Sequence, residues 1–309
     1  MDRAYRTVST GVIDLSEYLD TSISKWMTSD TKNRVECAPE PIRIAEEQNI
    51  DAFFQDNKYL NETDDTYIRL RVKNYLYSRE DNKIKVKVNA QIPLNRCKKE
   101  WQLFLQDVQT NDSEVRSTDS SHDGVGLRYY REGFYGIKSN YSLGIRNSSP
   151  YVRARFRLPI TFDTWTIEPV QSIKYSTDDN LELETNIYFD KKINENKLFR
   201  IQLNRESGDD IKGVDYGLSF EYFNTFRKNT GLRLRQSFFG NTHYNDFYEF
   251  DKDYTGINNY VSSVAWRENI WRKWFYYEVR PTVNFHKDHG YTPSYSLRII
   301  LDFYFGKYN

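Results

Sequence analysis

Basic side chains recur at every second position in several stretches of this 309-residue chain. Arg69, Arg71 and Lys73 form one triplet, Lys83, Lys85 and Lys87 a second, and Arg153, Arg155 and Arg157 a third. Arg233 pairs with Arg235, and Arg280 and Arg298 sit in similarly alternating stretches. Successive side chains of an extended strand point to opposite faces, so each group gathers its cations on one face. A row of this kind makes and breaks no bonds. It attracts anions and holds them by bidentate hydrogen bonds where the cation is arginine, or it pairs with carboxylates to fill a packed interior.

Side chains suited to catalysis are sparse. The four histidines are His122, His243, His286 and His289. THYND around His243 lacks the serine close downstream that outer-membrane phospholipases pair with their histidine. His286, Asp288 and His289 have the residue types of a rim protease site or a metal pair, but polar loops carry the same types as a matter of course. DKDYTG, with Asp251 and Asp253, resembles part of a calcium loop and lacks the later bidentate glutamate. Neither a glycine-rich phosphate loop nor a GxSxG elbow is present. The expectation is a non-enzyme with no metal and no cofactor. Two cysteines, Cys37 and Cys97, are compatible with a disulfide in an oxidising compartment or with two free thiols. Lysine and arginine total 44 and aspartate and glutamate 44, so the chain as a whole carries no nucleic-acid footprint.

The elements that must position the basic rows are strands. From residue 65 onward the alternation does not stop. YIRLRVKNYLY sets Ile68, Leu70, Val72 and Leu76 against the first triplet, and KIKVKVNAQI sets Ile84, Val86, Val88 and Ile92 against the second. YVRARFRLPI places Val152, Ala154, Phe156 and Leu158 opposite the third. WFYYEVRPTVNF and YSLRIILDFYF continue the pattern. Further candidates at 99–108, 124–132, 133–146, 164–176, 180–190, 197–205, 213–224, 231–241 and 256–267 bring the count to about fourteen strands, an even number as single-chain bacterial barrels have, with twelve or sixteen as alternatives. With both termini on the periplasmic side, the longest polar stretches fall on outward connections.

Composition says what covers those strands. Apolar residues make up 38%, mean hydropathy is −0.80, and yet aromatics reach 16%. A soluble core of this size would draw on more aliphatic residues, and a disordered chain would lack the aromatics. No apolar run approaches the roughly 20 residues of a spanning helix. A closed sheet with lipid outside and a polar interior fits all three facts, and aromatics near strand ends, such as Tyr75, Trp165, Tyr222, Trp274 and Phe305, mark an interfacial girdle. The soluble alternatives are a β-sandwich and a lipocalin-like barrel. The fold expected is therefore all-β, an antiparallel transmembrane β-barrel with a short α-helical N-terminal segment. MDRAYRTVSTG shows no signal peptide, so an outer-membrane location takes the chain as a mature form.

The closing stretch SLRIILDFYFGKYN resembles the last strand of Gram-negative outer-membrane β-barrel proteins, although it ends in Asn309 rather than an aromatic residue. IDAFFQDNKYLNETDDTYIRLRVKN resembles the entry to the first strand in a porin-like, poorly characterised proteobacterial group. The resemblance implies fold and location and assigns no catalytic or ligand residues.

Two segments follow: 1–64, helical or irregular, and 65–309, the barrel. In the first, VIDLSEYLDTSISKWM after Thr10 and Gly11 has helical spacing, and a second helix is expected from Pro41 through Phe54. Glu46, Glu47, Asp51, Asp56, Glu62, Asp64 and Asp65 form an acidic tract before the first basic strand, so residues 40–64 are expected either to fold back as a plug, with Phe53 and Phe54 on the inner wall, or to lead in from a periplasmic helix. If the apolar face meets lipid, the interior also receives Arg128, Lys138, Arg146, Lys174, Arg200 and Arg267, against fewer acids: Glu168, Glu182, Glu184, Asp215, Glu221, Glu278 and Asp302. The charges then either favour anions in a channel or pair across a narrow interior. Two functions stay open: a porin-like channel for small anionic or polar solutes, and a non-conducting scaffold binding a periplasmic or extracellular protein partner.

Overall fold

The computed structural model describes residues 2–27, 50–54, 66–94, 101–105, 124–146, 148–209, 211–227, 229–245, 253–270 and 272–306. Two helices, α1 (Asp2–Met27) and α2 (Ile50–Phe54), precede the strands. These are β1 (Tyr67–Tyr77), β2 (Lys83–Leu94), β3 (Trp101–Leu105), β4 (Gly124–Glu132), β5 (Lys138–Arg146), β6 (Ser149–Arg157) and the short β7 (Ile160–Phe162). There follow β8 (Trp165–Ser176), β9 (Asn180–Asn194), β10 (Lys197–Gly208), β11 (Asp215–Arg227), β12 (Thr230–Asn245), β13 (Asp253–Glu268), β14 (Phe275–His286) and β15 (Pro293–Gly306). All pairings are antiparallel. From β1 to β6 and from β8 to β15 each strand pairs with its chain neighbours, β6 pairs with β8, and the ring is completed by β1 against β15, from Tyr67 opposite Gly306 to Tyr77 opposite Ser296. β7 only extends the start of β8 as a hairpin. The wall is thus a closed barrel of fourteen strands, the number read from the alternation.

Its burial is inverted relative to a soluble protein. Ile84 is 71% exposed, Leu143 61% and Val86 61%, whereas Arg267 and Asp302 are 0% exposed and Arg200 1%. In water this would waste the apolar residues and strand the charges. In a bilayer it is the stable arrangement, because hydrocarbon takes the outer side chains and closure of the ladder pairs the first strand with the last. No helix among the described residues is long and apolar enough to cross a membrane. The protein is a transmembrane β-barrel that crosses with strands.

Polar groups on the outer face pair with each other. Thr185 Oγ1 donates to Gln171 Oε1 at 2.7 Å, and Ser262 donates to Gln236. Pro281, without an N–H, faces outward in the middle of β14. There the β13–β14 register runs to Ser263 opposite Thr282 and resumes at Trp266 opposite Val279.

Two expectations are corrected. The first helix does not begin after Thr10 and Gly11; it starts at Asp2 and runs through both. Nothing lies within 4 Å of a Cβ placed on Gly11, so the helix passes that position unobstructed. The stretch 133–146 is not one strand: a 3-10 turn at Phe134–Gly136, with Tyr135 at φ 60°, precedes β5. Cys37, Cys97, His122 and Asp251 lie outside the described residues, as do Glu46, Glu47, Asp56, Glu62, Asp64 and Asp65.

Leu143, Phe156 and Leu218 occupy outward positions on β5, β6 and β11. Arginine at any one of them should cost about 2–4 kcal/mol if it lies at the bilayer midplane. Urea titration of folding into lipid vesicles checks this, and three unchanged stabilities would refute the outward assignment.

Candidate functional site: the charged interior

Because β1 and β15 are adjacent in register, Arg71 stands directly opposite Asp302 and Arg69 opposite Tyr304. Asp302 collects three guanidiniums. Arg69 reaches it through Nε at 3.1 Å and Nη2 at 3.0 Å, Arg71 through Nε at 2.6 Å and Nη2 at 3.0 Å, and Arg267 of β13 through Nη1 at 2.8 Å. Arg267 also lies 3.6 Å from Glu278, which Arg280 binds at 2.5 Å. Four guanidiniums therefore share two carboxylates. Tyrosine rings take part of the excess charge: Arg69 lies 5.3 Å from the Tyr304 ring centroid and Arg267 4.8 Å from that of Tyr276.

A second cluster follows along the wall. Arg200 clasps Asp190 at 2.7 and 2.9 Å between the rings of Tyr188 and Phe223, each 5.5 Å away. Arg235 approaches Glu221 at 3.5 Å beside the Ser219–Ser237 hydroxyl pair at 2.8 Å. At the far end of β8, Arg146 and Lys174 share Asp179 at 2.7 and 3.3 Å. That carboxylate sits in the connection beyond the strands. Its partial burial works against ionisation, but the two cations and hydrogen bonds from Lys174 and Ser176 hold it below the usual carboxylate range.

The other half of the wall is different. β2, β3, β5 and β6 contain no acidic residue. Neutral acceptors meet some of the arginines here. Arg128 donates to Gln102 at 3.2 Å and Ser142 at 3.3 Å, and Arg153 donates to Ser142 at 3.2 Å. Arg155, 5% exposed, faces Asn140 across β5–β6, and its Nη1 and the Asn140 Oδ1 are buried without a hydrogen-bond partner among the described residues.

Of the residues singled out in the sequence, Arg69, Lys73, Arg153, Arg155, Arg233 and Arg280 are buried on the inner face. Arg71, Lys85, Lys87, Arg157, Arg235 and Arg298 share that face, half-buried. Arg298 rests over the Tyr75 ring at 4.8 Å. Lys83 sits at the rim, 50% exposed and 3.4 Å from Glu80. The wall thus joins Arg69, Arg71 and Arg280 into one network through Asp302, Arg267 and Glu278. Asp190 was overlooked in the sequence. It extends the parity of Glu182 and Glu184 along β9, so the same alternation carried far enough reaches it.

α2 lies against this interior. Phe54 packs edge-on to Phe223 at 5.3 Å and Phe53 to Tyr276 at 6.1 Å, while Ile50, Phe54, Leu198 and Phe223 form a buried apolar cluster. Arg267 Nε donates to the Phe53 carbonyl at 2.9 Å. A Cβ on Gly231 would come within 2.7 Å of the Phe53 ring and 2.8 Å of the Phe54 ring, so the absent side chain is what lets α2 close on the wall. Asp51 belongs to α2 by its backbone. His286 and His289 have ring centroids 6.4 Å apart, and no group of three metal-ligating side chains occurs among the described residues.

Asp302→Asn leaves three guanidiniums sharing a neutral group in a site closed to water. The variant should lose about 3–5 kcal/mol of stability, read as a lower urea midpoint for unfolding from vesicles. An unchanged midpoint would show that the cluster is solvated rather than buried.

No family model matches the chain, and no curated protein matches it. Among solved structures, a loop-deletion mutant of OmpT, an outer membrane protein of Vibrio cholerae, has 9% identity and a TM-score of 0.48 over 78% of this chain and 98% of its own. The outer membrane protein opdK of Pseudomonas aeruginosa has 7% identity and a TM-score of 0.47 over 77% and 98%. The KdgM porin has 9% identity and a TM-score of 0.37 over 76% and 98%. At this level of likeness the barrel rests on the strand pairing of this chain itself.

Proposed function

We propose that the protein is a porin-like channel for small anionic or polar solutes, with no catalytic step of its own. The observation that carries this reading is the asymmetry of the interior. β2 and β6 carry Lys85, Lys87, Arg153, Arg155 and Arg157 and no acidic residue in their own sequences, whereas β8, β9, β11, β14 and β15 each contribute at least one acid. A cationic wall in a confined, low-dielectric space lowers the energy of an anion and raises that of a cation. The position of α2 supports a channel narrowed at the end where the chain enters the barrel. The depth of burial of Arg69, Arg200, Arg267 and Asp302 favours a second reading, a sealed scaffold.

Planar-bilayer recordings separate the two. In a salt gradient the reversal potential of the wild-type protein should have the sign of anion preference, and Arg153, Arg155 and Arg157 changed together to Glu should move it towards cations. A cation-preferring wild-type channel would overturn the basic-wall reading, and no conductance at all would leave the scaffold.

A chain beginning at Asn61, or Phe53→Ala with Phe54→Ala in the full chain, should conduct more than the wild type. Equal conductance and equal salt dependence would exclude narrowing by α2.

A further inference from the structure

We infer that α1 is an interfacial helix that docks one strip on the barrel and inserts a neighbouring strip into the membrane leaflet at the end where the chain enters and leaves the wall. At 3.6 residues per turn, Tyr5, Ser9, Val12 and Ser16 fall on one line along the helix. Ser9, Val12 and Ser16 are buried, and Ser9 Oγ accepts from the Gly306 N–H at 3.3 Å. Tyr5 stacks on Trp274 at 4.7 Å and lies 5.8 Å from Phe305. Phe303 and Phe305 are outward positions of β15, and Phe275 joins them at 5.0 Å from Phe303. The docked strip therefore meets the outer, lipid-facing aromatic edge of the barrel.

A second apolar line starts beside that strip at Val8 and Leu15 and turns to the side away from it at Tyr18. Val8 is 46% exposed, Leu15 48% and Tyr18 68%. Arg6 and Glu17 lie on the opposite side of the helix. An apolar strip continuous with an aromatic girdle, on a helix lying across the end of the wall, faces the headgroup and acyl boundary of the bilayer. The helix carries three basic and four acidic residues by sequence. Its insertion is therefore driven by apolar burial rather than by attraction to anionic lipid, unlike a polybasic membrane anchor.

The test uses the full chain folded into phosphatidylcholine vesicles, with Cys37→Ser and Cys97→Ser, and a single fluorescent label at Leu15→Cys, Tyr18→Cys or Glu17→Cys. Labels at 15 and 18 should lose most of their emission to lipids brominated near the headgroup and be shielded from aqueous iodide. The label at 17 should behave in the opposite way, and high salt should change none of this. If the first two are quenched by iodide as readily as the third, the strip faces water, whether bare or awaiting a protein partner, and the inference fails. If quenching by brominated lipid requires anionic lipid, the apolar mechanism fails. Val8→Cys provides an independent label on the same strip should either variant not fold.

Discussion

The rest of the structure depends on one constraint: a backbone N–H or C=O in hydrocarbon has no water to bond. A sheet in that setting must close, and here closure falls to the first and last strands, paired over all of β1. Once the ring exists, side-chain parity is fixed everywhere, because each strand offers one face to lipid and the other to the interior. The burial of arginine and the exposure of isoleucine are then two results of the same geometric fact.

Closure also dictates how the interior is held together. Charged groups withdrawn from bulk water need partners, and the register supplies them across strands distant in sequence. Arg69, Arg71 and Arg267 reach a single aspartate because β13 and β15 stand one strand apart, with β1 on the other side of β15. Tyrosine faces and a peptide carbonyl of α2 complete the environment that one carboxylate cannot provide for three cations. On the opposite wall Gln102 and Ser142 are among the acceptors that Arg128 and Arg153 meet.

The fold was legible in the sequence because lipid on one side and polar groups on the other give an uninterrupted period of two, as in YIRLRVKNYLY. What could not be read was partnership. Nothing in the spacing of Arg69 and Arg267 brings them to Asp302; that requires the register of β13, β14 and β15. The start of α1 was missed for a related reason. Its docked strip contains Ser9 and Ser16, polar residues that an apolar pattern does not count, and Ser9 accepts a hydrogen bond from the Gly306 N–H.

The seam between β1 and β15 also orders events in time. Arg69 and Asp302 are 233 positions apart, so the contact that completes the wall cannot form until nearly the whole chain has been made. Until then β1 presents an unpaired edge, and the arginines and the aspartate are apart, each needing water. Long-range closure of this kind makes the final step slow and cooperative. It also makes the step self-correcting. A slip of one residue at the seam would turn Arg69 and Arg71 towards hydrocarbon and separate them from Asp302. The last strand thus both finishes the barrel and proofreads the alignment of the first.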